Sequence, residues 1–419
     1  RHMTHFTFTK DEAEAKDELN PLGSIRKQFN IPEREGKPLL YFSGNSLGLQ
    51  PKGVNNSIQE QIQIWAEKGA DGYFSDWVEF HQRFLKYFES IIGGQSYEFM
   101  LMNALTINLH LLLVSFYQPT AERHKIIIEG GAFPSDQYAV QSQIDFHGYN
   151  SDDAIIELMP RPGESNLRTE DIIQTIEHHG DAIALIMLGG VNYYTGQKYD
   201  MATITQSGKQ VGAFVGFDLA HAAGNVELKM HDWDVDFAAW CNYKYLNCGP
   251  GAPSGIFVHE KHHQWEGPRF TGWWSNRLDT RFKMDSTLDP IQNAAGWGIS
   301  NSPIFSMAPM KDALQVYHDV GMESFIKASH NLTGYLESLI TQEFSMINII
   351  TPTDSEQRGC QLSLTTPNGK DAYDALTDHN VVCDWREPNV FRIAPTPLYN
   401  TYSDVYELVQ ILKSILIHD

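Results

Sequence analysis

Six short apolar runs punctuate the middle of this chain, at 125–128, 154–159, 183–188, 213–217, 237–241 and 256–258, with helical spacing in the stretches between most of them. Runs of that length, alternating with helical stretches, predict the strands of a mostly parallel sheet covered by helices. Ahead of them a strand-like Leu39-Leu40-Tyr41-Phe42 leads to Pro51, which opens a helix whose apolar positions Val54, Ile58, Ile62 and Trp65 share a face, and Gly69 closes it. From about Ser306 the pattern becomes helical through Lys311 to Ile340, then mixed, and it ends on a capped amphipathic helix from Ser403 to Leu416. The expected architecture is α/β in three parts. These are an N-terminal segment over 3–50 that packs with the small domain, a large domain over 51–305, and a smaller C-terminal α+β domain over 306–419.

Charge narrows the partners. With a formal net charge of −21 over 419 residues, the surface suits neither nucleic acid nor an anionic membrane. The charged run from Lys10 to Glu18 reads as a solvated helix with no catalytic role. Four cysteines without a CxxC pair, and no apolar stretch of bilayer length, lead to the expectation of a reduced, cytoplasmic protein. Arg1-His2 before Met3 reads as a remnant of an expression tag, and no export signal is expected.

The chemistry sits where apolar runs stop. Gly216-Phe217-Asp218-Leu219-Ala220-His221 puts an acid at one strand exit, and Asn242-Tyr243-Lys244-Tyr245 puts a lysine just past the next. An acid and a lysine so placed can grip opposite ends of pyridoxal phosphate, at the ring nitrogen and the aldehyde; a helix cap and a solvated lysine are the plain alternatives. Ligands of such sheets gather beyond the carboxyl ends of the strands, where Phe133-Pro134-Ser135-Asp136 also falls. Phe133 there either stacks on a flat ring or belongs to an ordinary turn. Thr106, before the helical run from Ile107 to Phe116, either faces a phosphate with the neighbouring amides or joins Asn103 as a structural cap. Arg392, in the strand-like Val390-Phe391-Arg392-Ile393, either clamps a carboxylate or makes a structural salt bridge. Trp273-Trp274 and Trp297 with Asn301 suit a flat substrate or a subunit interface.

Three motifs are decoys. Gly44-Asn45-Ser46-Leu47-Gly48 has the GxSxG form of a nucleophile elbow, but its helix starts only near Pro51, so a turn is the better reading. His259-Glu260-Lys261-His262-His263 has the HExxH form yet follows a strand with little helix after it, and no metal is expected. The loop from Gly249 to Gly255 lacks dinucleotide or phosphate-loop spacing and reads as a shaped turn beside Lys244.

Taken together, the segments from Tyr41-Phe42-Ser43-Gly44-Asn45-Ser46-Leu47-Gly48-Leu49 to Pro397-Leu398-Tyr399-Asn400 resemble the kynureninases, pyridoxal-phosphate enzymes of the aminotransferase-like fold with a large, mostly parallel, seven-stranded sheet. The resemblance implies that Lys244 carries the cofactor, Asp218 pairs with its ring nitrogen with His221 in support, and Phe133 stacks over the ring with Pro134, Ser135 and Asp136 beside it. It assigns Leu105, Thr106 and Tyr243 to the phosphate end, with Tyr243 also a proton carrier, and Arg392 to the substrate's α-carboxylate. Trp273 and Asn301 are implied to reach the site from a partner subunit, which implies a homodimer with shared active sites. Asn301 and Tyr73 are implied to border the substrate ring, kynurenine or 3-hydroxykynurenine, both of which are expected to be accepted. Gly189 stands where some relatives carry a serine. The rivals are an aminotransferase or a cysteine desulfurase of the same fold, the latter needing a reactive cysteine such as Cys360, and a pyridoxal-phosphate-binding regulator without chemistry.

Overall fold

The computed structural model describes residues 8–418, so Arg1 and His2 lie outside the described residues. Seven strands form the large sheet: β1 (Phe99–Leu101), β2 (Lys125–Glu129), β3 (Ile155–Leu158), β4 (Ile183–Gly189), β5 (Phe214–Asp218), β6 (Phe237–Trp240) and β7 (Gly255–Val258), in the order β1-β7-β6-β5-β4-β2-β3. All six predicted runs are strands. The short edge strand β1 was not predicted, because three residues give no periodicity to read. Only β7 runs against its neighbours β6 and β1.

The strands read as unbroken apolar runs because both faces of the sheet are covered. Ile127, Ile186, Val215, Phe217 and Ala238 enter one core, while Ile126, Ile128, Leu185, Phe237 and Ala239 enter the other. Successive side chains alternate between faces, so a strand buried on both sides must be apolar at every position. On the second face lies helix α3 (Leu105–Phe116), with Leu109, Leu111, Leu112 and Leu113 all buried, and beside it α4 (Pro134–Phe146) with Val140 and Ile144.

The C-terminal part holds a four-stranded antiparallel sheet, β8 (Asn348–Ile349), β9 (Leu362–Thr365), β10 (Asp384–Arg386) and β11 (Val390–Ile393), in the order β8-β9-β11-β10. Its core gathers residues from the two long C-terminal helices, Met322–Glu343 and Tyr402–Leu416, together with Ala13, Leu40 and Phe42 from the N-terminal segment. The charged leading helix, α1 (Lys10–Leu19), also anchors the C-terminus, because its Asp17 carboxylate accepts from the backbone N–H groups of Tyr402 and Ser403 at the start of the last helix.

The predicted helix after Pro51 forms as α2 (Val54–Lys68), closed at Gly69 with φ 54°. Its apolar stripe is not buried as the periodicity implied: Ile62 is 40% and Trp65 59% exposed, and the buried positions are Val54, Ser57 and Gln61. Trp65 meets Phe305, and a second group of rings joins Phe74, Phe282 and Trp273, all exposed. Large aromatics grouped on a surface form the kind of apolar patch that partners or ligands use.

Candidate active site

Strands β2, β4, β5 and β6 are parallel, so Glu129, Gly189, Asp218 and Trp240 finish on the same edge of the sheet. Beyond that edge lies a cavity of about 250 Å³. Lys244 sits four residues past β6 in a tight turn held by Asn247 N–H donating to the Lys244 carbonyl (3.1 Å) and Cys248 N–H donating to the Asn242 carbonyl (2.9 Å). Asn247 (φ 60°) and Gly249 (φ 93°) supply the left-handed backbone this turn requires.

The Lys244 amine lies 3.3 Å from His221 Nε2 and 5.9 Å from the centroids of both the Phe133 and Tyr243 rings. Burial, reinforced by the charge of Lys244, pushes His221 well below the ordinary imidazole range, so it is neutral and accepts from the amine. Burial raises the Tyr243 phenol far above the neutral range, which leaves it a proton donor.

Acids crowd the opposite wall. Asp218 takes one turn hydrogen bond, from Ala220 N–H at 2.9 Å. Asp136 lies close to it, and burial together with the Asp218 carboxylate raises Asp136 well above the carboxylate range. Glu129, fully buried, is raised to about 7 by burial and held back by the Gly189 N–H that it accepts at 2.9 Å. A Cβ at Gly189 would stand 2.9 Å from that carboxylate, so the Glu129 side chain fills the space beside the glycine.

The remaining corner is a helix end. The N-cap of α3 is Ala104, with no side chain capping it, and the first amide to turn back into the helix is that of Asn108. The capping reading of Asn103 and Thr106 is therefore corrected: Asn103, at φ 51°, hydrogen-bonds the Asn108 side chain, and Thr106 Oγ1 lies 2.7 Å from Ser135 Oγ in the first turn of α4. Open amides and helix dipole together are the features with which a helix end can hold a phosphate. The turn reading of Phe133-Pro134 also gives way: Phe133 is the N-cap of α4, Pro134 its first residue, and the Phe133 ring stands edge-on to Tyr193 at 5.2 Å.

Of the predicted residues, Leu105, Thr106, Phe133, Asp136, Asp218, His221, Tyr243 and Lys244 line the cavity. Pro134 and Ser135 stand just behind it on α4. Trp273 (46% exposed), in the group of surface rings, Tyr73 (43% exposed), packed on Trp77, and the exposed Asn301 do not line the cavity. Arg392 does not line it either. It is fully buried and paired with Asp384 at 2.8 Å, the salt bridge that was the alternative reading. Glu129, Tyr193 and Cys241 line the cavity and were missed. A charge closing the run Ile126-Ile127-Ile128 was the available signal for Glu129; Tyr193 arrives on a loop and had none.

The decoys resolve as well. Ser46 donates to Asp384 at 2.8 Å in a turn, with no helix between it and α2. His259 Nε2 pairs with the His231 carbonyl and His263 Nε2 with the Val258 carbonyl, so the two imidazoles of the HExxH form turn to separate partners. Cys360 is fully buried against Ser329 Oγ at 3.3 Å, and burial lifts its thiol to about 12, which makes it unsuitable as a desulfurase nucleophile.

Solved structures share this fold. A C-DES mutant with glycine covalently linked to its PLP cofactor superposes with a TM-score of 0.78 at 16% identity over 92% of this chain and 98% of its own. The apo cysteine desulfurase from Thermococcus onnurineus gives 0.76 at 16% identity, over 94% and 97%. The architecture is thus that of the pyridoxal-phosphate enzymes of the aminotransferase and cysteine desulfurase type. Residues 326–412 match the family model described as kynureninase C-terminal domain. The kynureninase of Flavobacterium psychrophilum is 49% identical over 97% of this chain and 98% of its own, and that of Homo sapiens 44% identical over 96% and 91%. The chain belongs to the kynureninase family.

Proposed function

We propose that this chain hydrolyses the Cβ–Cγ bond of L-kynurenine and 3-hydroxy-L-kynurenine, giving L-alanine and the matching anthranilate, with Lys244, Asp218, Tyr243 and Arg392 as its working residues. The observation that carries the proposal is the convergence of Lys244 and Asp218 on one cavity roofed by Phe133 and closed by an uncapped helix end.

The residues present fit pyridoxal phosphate. The open amides of α3 with Thr106 suit its phosphate, Asp218 suits its ring nitrogen, Phe133 suits its ring face, and Lys244 suits its aldehyde. Bound there, the cofactor supplies an electron sink for negative charge at the substrate's α-carbon. Lys244 would hold the cofactor by its aldehyde, and its amine is the base that would take the substrate's α-proton. Asp218 would face the ring nitrogen and favour its protonated form, with Asp136 close beside it. Water adds to the γ-ketone, the Cβ–Cγ bond breaks, and Tyr243 delivers a proton at the β-carbon. Neutral His221 holds the lysine amine in place between these steps. Arg392 is assigned the α-carboxylate by the resemblance; it stands behind the cavity wall, donating to the carbonyl of the lining residue Tyr193 at 2.9 Å.

We further infer a homodimer that covers the aromatic surface, so that Trp273, Asn301 and Tyr73 of one subunit border the substrate in the other. The grouped exposed rings support this reading. A cytoplasmic location is inferred from four cysteines that are all free and buried; among the described residues no helix is long and apolar enough to cross a membrane.

Incubating the holoenzyme separately with the two substrates and quantifying alanine and each aromatic acid tests the activity. Equal amounts of alanine and the matching acid are expected from both, and absence of either product refutes the reading. Light scattering tests the assembly: wild type is expected at twice the chain mass, and Trp65→Glu at a lower mass.

A further inference from the structure

Arg392 is fully buried, yet its guanidinium is not idle. Nη2 donates to Asp384 Oδ2 at 2.8 Å and to Ser46 Oγ at 3.1 Å, and Nη1 donates to the Tyr193 carbonyl at 2.9 Å. Nε is buried and has no partner. The Ser46 hydroxyl in turn donates to the same Asp384 oxygen at 2.8 Å, and Ser43 Oγ reaches the other at 3.3 Å. The triangle Arg392–Asp384–Ser46 is therefore closed.

Its three corners have different origins. Asp384 and Arg392 are directly opposite on neighbouring strands β10 and β11, so the ladder itself sets their spacing. Ser46 comes from the loop at 43–48, whose far end hydrogen-bonds the turn of the lysine, Gly48 N–H donating to the Tyr243 carbonyl at 2.9 Å. One short loop thus touches both the arginine pair and the Lys244 turn, and the GxSxG-like motif serves as this bridge.

We propose that Asp384 is a positioning residue that holds Arg392 for the substrate's α-carboxylate, with Ser46 as the hydroxyl that closes the pair. This rests on the role given to Arg392 above. A two-point grip on a carboxylate demands a fixed guanidinium plane, and a long side chain left free loses rotamer entropy each time a ligand binds. Asp384 removes that freedom before the substrate arrives. It also supplies the counter-charge that a buried arginine needs whenever no carboxylate is bound.

The test uses the holoenzyme and two ligands that divide the substrate. L-Alanine brings the α-carboxylate without the aryl ketone, and anthranilate brings the ring without the amino acid. Alanine binding is followed by the cofactor's absorbance and anthranilate binding by inhibition. Asp384→Asn is expected to weaken alanine and raise the KM for kynurenine by about tenfold, the size of one charge-assisted hydrogen bond, with kcat and anthranilate binding unchanged. Asp384→Glu is expected to restore part of the loss. If Arg392→Lys weakens alanine and Asp384→Asn does not, the positioning role is overturned while the arginine's role stands. If neither weakens alanine, the arginine reading itself has failed and takes the positioning role with it. If Asp384→Asn weakens alanine and anthranilate alike, or lowers cofactor affinity and melting temperature together, Asp384 is structural only and the proposal is overturned.

Discussion

Gly48→Ala separates geometry from chemistry, because the residue has no side chain to react with and yet abuts the turn that carries Lys244. A Cβ on Gly48 would stand 2.8 Å from Asn247 Cα, and closer still to the Lys244 carbonyl oxygen and to Asn247 Oδ1. The Asn247 side chain can swing aside, but the other two atoms are backbone. Ordinary contact begins near 3.4 Å, so the loop at 43–48 and the Lys244 turn must part by roughly 1 Å. They cannot part freely, since Gly48 N–H donates to the Tyr243 carbonyl at 2.9 Å. The expected result is a kcat lowered about 100-fold by misplacement of Lys244, with about 1–3 kcal/mol lost from stability. Gly44→Ala is the comparison: its Cβ would press only on the side chains of Tyr399 and Thr396, so it is expected to lower stability and leave kcat within about twofold. Steady-state kinetics on kynurenine and urea melts of both variants decide the matter. A Gly48→Ala enzyme with wild-type kcat would refute the claim that this close approach holds the lysine.

Lys244→Ala is expected to abolish turnover and the absorbance of the lysine-bound cofactor, and any turnover near wild type would reject the assignment. Glu129 is raised from an ordinary 4.5 to about 7, so the unfolded chain releases that proton first as pH rises, and folded stability falls between those values. Glu129→Gln lacks the penalty, and its stability relative to the parent should rise by up to about 3 kcal/mol from pH 4.5 to 7 and level off above, which melts across that range will measure. Arg392→Ala strands Asp384 without a counter-charge, and is expected to cost about 3 kcal/mol of stability while raising KM for kynurenine, read by thermal melts and kinetics together.

The strands and the two central residues were legible because they are local. A strand buried on both faces must be apolar throughout, so its end shows wherever a polar residue breaks the run, and Asp218 and Lys244 stand at or just past two such breaks. Phe133, Thr106 and Arg392 were read from short motifs with an alternative beside each; the first two line the cavity, and Arg392 makes the salt bridge with Asp384. The open end of α3 was not legible, because Asn103 and Thr106 are both good capping residues, and only the observed geometry shows them bonded elsewhere. Nor was the exposure of Ile62 and Trp65, since helical periodicity reports an apolar face without saying whether this chain or another covers it.

By itself, then, the sequence determined which segments become strands, where they stop, and which reactive side chains stand at those stops, because hydrophobic pattern and residue chemistry act over a few neighbours. Tertiary structure alone decided which charges meet. Ser46 and Asp384 lie 338 positions apart, and Glu129 and Gly189 60 positions apart, yet each pair is hydrogen-bonded. Burial and pairing, which raise Asp136 and Glu129, arise from contacts between distant segments and have no local signature.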